Sequence, residues 1–149
     1  MMFLRYENQP SFRGCLVKRS SNISLLTSTN TVIDFDQEDY DTDNIHDNST
    51  NNERLTVPTG VSKVRVTATI HFFPVEGGFR SLTIRKNGTY PYPVADIRNA
   101  IYTSMYIPLS SPVIPVTAGD YFDLVTNQNS GSTVILDKDY IRFGMEIIE

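Results

Sequence analysis

Residues 63–73, with the sequence KVRVTATIHFF, constrain the fold of this chain most strongly. Apolar and polar side chains alternate along the run, and one face carries Val64, Val66, Ala68, Ile70 and Phe72. A period of two is typical of a strand that has one face in a core, and nowhere does the chain show the spacing of an amphipathic helix. The run therefore predicts an all-β protein with a second layer that covers its apolar face.

Shorter alternating runs follow the same pattern and are separated by turn signals. Strands are predicted at residues 15–18, 23–26, 31–35, 63–73, 79–85, 101–109, 121–128, 133–136 and 140–148. Turns are expected at Gly77-Gly78, at Asn87-Gly88 and at Gly119-Asp120, because these residues adopt the backbone angles that tight turns need. About nine or ten short strands are typical of a two-sheet jelly-roll sandwich. Its predicted core is Val64, Val66, Ile70, Phe72, Leu82, Ile84, Phe122, Leu124, Phe143 and Met145.

Composition excludes several classes of partner. The 17 acidic and 13 basic residues give a net charge of −4, so nucleic acid is not an expected partner. The longest apolar runs are far shorter than a bilayer span, so no membrane contact is expected. Arg5 and Glu7 interrupt the segment in which a secretory signal would be continuously apolar, which predicts synthesis in a cytoplasm. Cys15 has no disulfide partner and is expected to be a small buried hydrophobe.

The stretch from residue 32 to residue 58 is dense in Asp and Asn. Such side chains bond their own backbone, so an ordered loop between two strands is predicted. A calcium site is an open alternative, with Asp41, Asp43 and Asp47 as its ligands. An EF-type loop would need Gly and Glu where His46 and Asn52 stand, and His46 is expected to bond loop backbone instead. No other cofactor is expected.

Catalytic motifs are lacking. The chain has no Gly-x-Ser-x-Gly elbow, and its two His and one Cys are too few for common zinc chemistry. We therefore expect a protein that is not an enzyme.

The order of these features resembles the compact jelly roll of the complement and tumour necrosis factor (TNF) globular heads, particularly the versions in bacteriophage structural proteins. The matching segments are residues 14–17, 33–36, 40–47, 55–58, 63–73, 85–88, 118–121 and 143–144. The family usually has Gly-x-Tyr at the start of its long strand, where this chain has Gly60-Val61-Ser62. The resemblance implies a jelly-roll domain at residues 14–149. It also implies a homotrimer that associates through the outer face of one sheet.

Alternation leaves some large side chains on the face opposite the core. A monomer has no need of Tyr121, Val125 and Ile148 in such positions, so a threefold interface is predicted. The predicted interface residues are Arg65, Thr67, Thr69, His71, Tyr121, Asp123, Val125, Arg142 and Ile148. Arg65 or Arg142 is expected to pair with Asp123 or Glu146.

Residues 1–13 are predicted to form an N-terminal arm with large apolar side chains. The anchoring residues would be Phe3, Leu4, Tyr6 and Phe12, which would pack onto a neighbouring virion subunit such as the major capsid protein. In the alternative, Phe12 covers the bottom of its own sandwich and the remainder of the arm frays.

Three functions are consistent with this pattern. The first is a trimeric decoration, or cement, protein of a tailed bacteriophage capsid, located in the virion. The second is a receptor-binding tip of a fibre or spike, with Tyr90 and Tyr92 as ligand-binding residues. A soluble ligand of the cellular kind is disfavoured because neither an export signal nor a collagen-like repeat is present. A fibre tip usually follows a long shaft, and only about a dozen residues precede the first predicted strand, which favours decoration.

Overall fold

The computed structural model describes residues 11–90, 95–100 and 103–149. Within these residues there are thirteen strands: β1 Gly14–Lys18, β2 Ile23–Leu25, β3 Thr31–Val32, β4 Gln37–Asp41, β5 Arg54–Thr56, β6 Lys63–Phe72, β7 Phe79–Lys86, β8 Ala95–Asn99, β9 Met105–Ser110, β10 Ile114–Pro115, β11 Tyr121–Gln128, β12 Val134–Leu136 and β13 Arg142–Ile147. A single turn of 3-10 helix covers Lys138–Tyr140. The described residues contain no helix that is long and apolar enough to cross a bilayer.

The strands form two antiparallel sheets. The eight-stranded sheet has the order β2-β12-β6-β13-β1-β4, and β9 and β10 also pair with β6. Residues 67–69 of β6 pair with both β13 and β9, so these two strands lie on opposite edges of β6. The five-stranded sheet has the order β3-β11-β7-β8, with β5 also paired to β11. This is the predicted jelly-roll sandwich.

The predicted core is confirmed. Each of its ten side chains is no more than 2% exposed. The ring of Phe143 stacks on that of Phe35 with centroids 5.5 Å apart. Cys15 belongs to the same core, and its burial raises the pKa of the thiol.

Several predicted boundaries are wrong. β4 lies within the segment that was predicted as a loop, because an exposed edge strand such as QEDYD needs no apolar alternation. The strands β5, β8 and β10 were not predicted, and the strand expected at 31–35 has only two residues. The strand expected at 101–109 begins at Met105, and residues 101–102 lie outside the described residues.

The predicted turn after β7 is present. Asn87 and Gly88 both have positive φ, at 54° and 71°, as the mirror-image hairpin turn requires. Asn87 also donates its side-chain amide to Asp120, which joins this turn to the turn before β11.

The two ends of the sandwich differ in composition. At one end, the amide of Ile147 donates to the carbonyl of Arg13, and the amide of Thr42 donates to the carbonyl of Gly14. The described start of the chain, its C-terminal strand and the acidic loop therefore meet at this end. At the other end, Ser28 donates to the carbonyl of Gln128, which joins two loops rich in Ser, Thr and Asn.

Candidate assembly face

The outer face of the eight-stranded sheet is the candidate functional surface. Its side chains form rows across the strands because paired residues point the same way. One row contains Tyr40, Leu16, Gly144, Thr67 and Ser110, and the next contains Gln37, Lys18, Arg142, Thr69 and Pro108. Thr67 and Thr69 are exposed, whereas the alternate residues of β6 are buried.

An aromatic cluster occupies the β9 side of this face. His71 stacks on its cross-strand partner Tyr106, with ring centroids 4.2 Å apart and planes at 11°. Tyr140 lies edge-on to both rings at 5.3 Å. Phe73 packs edge-on against His71 at 5.6 Å. Tyr106 and Tyr140 remain about half exposed although they are well packed on one side.

His71 forms an incomplete catalytic arrangement. Its side chain is 7% exposed, and Nδ1 lies 3.4 Å from a carboxylate oxygen of Asp137. Within the described residues, Nε2 has no hydrogen-bond partner, so no hydroxyl or thiol is positioned for activation. Acyl-transfer chemistry needs a nucleophile at that nitrogen. The pair therefore orients a ring in the cluster.

A groove of about 310 Å³ opens beside the cluster, between Tyr106 and Pro108 on one side and Tyr140 and Arg142 on the other. It shares Arg142 and Asp139 with a polar groove that is also lined by Lys18, Arg19 and Lys138. The aromatic groove thus continues into a largely basic one.

A second aromatic pair lies on the opposite side of the face. The ring of Phe12 meets that of Tyr40 edge-on at 5.4 Å, and both side chains are more than 40% exposed. Beside them is a groove of about 250 Å³ whose lining includes Leu16, Thr67 and Glu146. Phe12 therefore packs on the outside of the sheet and does not cover the bottom of the sandwich.

Ion pairs cross the middle of the face. Arg65 lies 3.3 Å from Glu146, as predicted. Arg142 donates to Asp39 at 3.1 Å, not to the predicted partners. The hydrogen bond from Lys18 and the nearby charge of Arg142 hold the pKa of Asp39 below its usual value.

The predicted interface residues do not share one face. Arg65, Thr67, Thr69, His71 and Arg142 lie on the eight-stranded sheet, but Tyr121, Asp123 and Val125 belong to β11 of the other sheet. Ile148 follows β13 and is 42% exposed. The expectation of a single shared face is wrong, because alternation shows which residues of a strand point outward but not which sheet holds the strand.

Two of these β11 residues are also covered within the protomer. Asp123 and Val125 are each 4% exposed, and Asp123 receives two hydrogen bonds from Arg85 at 2.8 and 2.6 Å. Tyr121 lies beneath the guanidinium of Arg54 at 4.1 Å. Asp123 is therefore not available to pair with Arg65 or Arg142.

The three candidate calcium ligands have separate partners. Asp41 accepts hydrogen bonds from the amides of Asp43, Ile45 and His46. Asp43 pairs with Arg13, which lowers the pKa of its carboxyl. Asp47 accepts from Ser49 and Thr50 in the next turn of the loop. Within the described residues no group of three acidic, His or Cys side chains is arranged to hold a metal ion.

The remaining candidate residues are distributed elsewhere. His46 Nε2 lies 3.0 Å from the carbonyl of Asn52, which is the predicted contact with loop backbone. Tyr90 is 59% exposed, with the Arg85 guanidinium 5.8 Å from its ring. Tyr92 and the arm residues Phe3, Leu4 and Tyr6 lie outside the described residues.

Sequence reasoning did not assign Tyr40, Tyr106 or Tyr140 to the interface. Alternation along β9 could have identified Tyr106, because Ile107 next to it is buried. Tyr40 lies after an irregularity in the pairing of β1 with β4, and Tyr140 lies in a 3-10 turn. Tyr40 has no strand periodicity that shows its direction, but alternation with the buried Ile141 and Phe143 could have placed Tyr140 on the outer face.

Comparison with known proteins identifies the fold. No family model matches the chain, and no curated protein matches its sequence. The solved structure of murine APRIL at pH 5.0 has a TM-score of 0.64 and 12% sequence identity. The match covers 92% of this chain and 99% of the APRIL chain. The globular domain of the zebrafish complement 1qA protein has a TM-score of 0.62 and 14% identity, with 92% and 98% covered. Eiger TNF from S. frugiperda has a TM-score of 0.62 and 10% identity, with 93% of each chain covered. The chain therefore has the TNF and complement jelly-roll fold, as its sequence predicted.

Proposed function

We propose that this protein is a homotrimeric structural protein of the virion, which decorates the capsid of a tailed bacteriophage and is not an enzyme. The observation that carries the proposal is the outer face of the eight-stranded sheet. Phe12, Tyr40, Tyr106 and Tyr140 are each between 42% and 54% exposed. Soluble monomers rarely leave apolar surface of this kind uncovered.

The chemistry of the face supports assembly over catalysis. The only imidazole on it, among the described residues, is buried in a ring stack and has no nucleophile beside it. The other side chains around the groove are mainly Tyr, Pro, Ile and Thr. Aromatic side chains of this kind are enriched where proteins contact one another.

The order of the sequence features, which resembles that of jelly rolls in bacteriophage structural proteins, supports the virion role. The partner would be the major capsid protein or another virion subunit. The described chain starts beside the acidic loop, where Arg13 pairs with Asp43. An arm and a loop at one end of the sandwich would allow that end to contact the particle.

Two measurements test this proposal. Light scattering at micromolar concentration should give three times the 16.8 kDa mass of the chain. Antibody raised against the protein should label purified phage particles at many regularly spaced capsid positions in electron micrographs. A monomeric mass would contradict the trimer, and labelling restricted to fibre tips would contradict capsid decoration.

A receptor-binding tip is the second candidate function. The observation in its favour is Tyr90, whose exposed ring lies beside Arg85 outside the proposed assembly face. Aromatic faces next to a polar group commonly bind sugars or protein surfaces. Binding of the wild-type protein to host cells, lost in Tyr90→Ala and retained in Leu26→Ala, would favour this function.

A further inference from the structure

We infer that the protein binds a neutral saccharide in a polar pocket between the acidic loop and β5. The inference goes beyond the proposed function and does not depend on it. The pocket has a volume of about 390 Å³ and is lined by residues of the acidic loop together with Arg54 and Thr56 of β5. A cavity of about 150 Å³ holds benzene, so this pocket has room for a sugar ring with about twice as many heavy atoms.

Four neutral polar side chains around the pocket have no hydrogen-bond partner in the protein. Among the described residues, neither the side-chain amides of Asn44 and Asn51 nor the hydroxyls of Thr50 and Thr56 make such a bond. An amide both donates and accepts hydrogen bonds, and so does a hydroxyl. The hydroxyl groups of a sugar have the same two capacities, so they can bond to each of these side chains.

Arg54 supplies further donors at a fixed position. Its guanidinium lies 4.1 Å from the centre of the Tyr121 ring, which holds the guanidinium plane in place. Its Nε lies 2.9 Å from a carboxylate oxygen of Glu53 but makes no hydrogen bond within the described residues. The contact with Glu53 balances the charge of Arg54, and the terminal N–H groups remain available to a ligand.

The charges around the pocket favour a neutral ligand over an anionic one. Hydrogen bonds from Ser49 and Thr50 lower the pKa of the Asp47 carboxyl, so this carboxylate stays ionised beside the pocket. Both bonds go to one oxygen of Asp47, and the other oxygen can accept from a sugar hydroxyl. Because Arg54 is already paired with Glu53, the lining carries no excess positive charge to attract a phosphate, sulfate or carboxylate group.

The loop that carries these groups is fixed from behind. The side chain of His46 is fully buried, and its ring nitrogens lie 3.3 Å from Glu38 and 3.0 Å from the carbonyl of Asn52. The carboxylate of Asp41 accepts from the amides of Ile45 and His46. A loop held in this way loses little further conformational freedom when a ligand binds.

The pocket does not include the start of the N-terminal arm. Arg54 and Thr56 belong to β5 of the five-stranded sheet, whereas Arg13 precedes β1 of the eight-stranded sheet and pairs with Asp43. A ligand in the pocket therefore does not occupy the Arg13–Asp43 pair.

Nuclear magnetic resonance of the isotope-labelled full chain tests the inference. The probes are free glucose, galactose, mannose, rhamnose and N-acetylglucosamine at millimolar concentrations, with sialic acid as an anionic comparison. At least one neutral sugar should shift the amide resonances of residues 44–56, and sialic acid should not.

Glycine variants separate the side chains of the pocket from its backbone. Asn44 and Asn51 have positive φ, at 54° and 49°, which glycine adopts readily. Asn44→Gly combined with Asn51→Gly therefore removes two amides while the loop keeps its shape, and should weaken sugar binding about tenfold or more because two hydrogen bonds are lost. Ser28→Gly makes the same kind of change at φ 55° at the opposite end of the sandwich and should bind as the wild type does. Thr56→Val, which removes one hydroxyl at nearly constant shape, replaces the double variant if that protein does not fold.

The outcomes separate this inference from the proposed function. If no neutral sugar shifts the resonances of residues 44–56, the inference is overturned and the proposed virion role is unaffected. Shifts centred on Tyr90 would also overturn it and would favour the receptor-binding tip. Binding that persists unchanged in the double variant and in Thr56→Val would show that the pocket is not the site. Preferential binding of sialic acid would overturn the assignment of a neutral ligand.

Discussion

At the scale of single residues, Asp120 shows how one carboxylate joins two turns. It accepts hydrogen bonds from Asn87 and from the amide of Thr117, and Lys86 lies 2.7 Å away. Burial alone would raise the pKa of Asp120, but these partners outweigh it and hold the pKa at about 2. The charged form is therefore favoured in the folded state.

The linkage between this pKa and folding predicts a pH dependence. Because the folded pKa is below the unfolded value of 3.8, the stabilisation is present above pH 4 and is lost as the pH falls towards 2. Asp120→Asn should lower the free energy of unfolding at pH 7 by roughly 1 kcal/mol, after allowance for solvent screening. Urea unfolding should show this difference shrinking between pH 4 and pH 2. A constant difference across that range would contradict the assignment.

Neighbouring phenylalanines at the end of β6 provide a matched test of the register. Phe72 is 1% exposed and Phe73 is 37% exposed. Phe72→Ala should cost about 3–5 kcal/mol of unfolding free energy, as should Phe143→Ala in the same core. Phe73→Ala, which removes the same atoms from a partly exposed position, should cost less. Equal losses for Phe72→Ala and Phe73→Ala would show that the strand is turned the other way.

At the scale of elements, Asp41 organises the acidic loop from the end of β4. Three backbone amides donate to its carboxylate. Asp41→Ala should destabilise the protein by about 1–3 kcal/mol, because those amides lose their acceptor. Asp139→Ala, which removes an exposed carboxylate that pairs with its neighbour Lys138, should change stability little.

The hydrogen bonds in the acidic loop predict how the melting temperature of the protein responds to calcium. The carboxylates of Asp41, Asp43 and Asp47 already have separate donors, so millimolar calcium should not raise the melting temperature above its value in EDTA. A rise of several degrees that Asp41→Ala abolishes would show that the loop binds the ion.

The sequence predicts best those elements whose side chains alternate clearly. The bounds of β11 were predicted as observed, and β6 differs by one residue, because burial of one face leaves a pattern of period two. β4 was missed because both Asp39 and Tyr40 are exposed beside a pairing irregularity, which removes that pattern. The assignment of β11 to a sheet depends on pairing with β7, a long-range contact that no local pattern records.

The candidate site was predicted only in part for the same reason. Thr67, Thr69 and Arg142 were placed correctly on one outer face, because their own strands alternate. Tyr140 continues the alternation of the buried Ile141 and Phe143, so the same pattern could have placed it on this face. Its contact with Tyr106 belongs to the tertiary fold, and no local pattern records it.

At the scale of the whole molecule, the two ends of the sandwich have different chemistry. The end with Arg13 also carries the acidic loop, in which Asp41 and Asp43 are held by hydrogen bonds. Residues 20–33 and 124–136, which supply loops of the opposite end, contain no charged side chain. If the protein decorates a particle as proposed, the end with Arg13 and the acidic loop would make the contact.

Deletion of residues 1–10 tests whether the end with Arg13 and the acidic loop contacts the particle. Phe12 and Arg13 remain in the truncated chain, where they pack on Tyr40 and pair with Asp43, so the protein should stay a folded, soluble trimer. If the proposed function is right, it should no longer join phage particles, because three weak arm contacts per trimer would act together and would be lost together. Occupancy on purified particles, measured by quantitative gel densitometry, checks this. Leu26→Ala, an exposed apolar change at the opposite end, should keep full occupancy. If the truncated trimer also kept full occupancy, anchoring would have to be assigned to the acidic loop at residues 39–52.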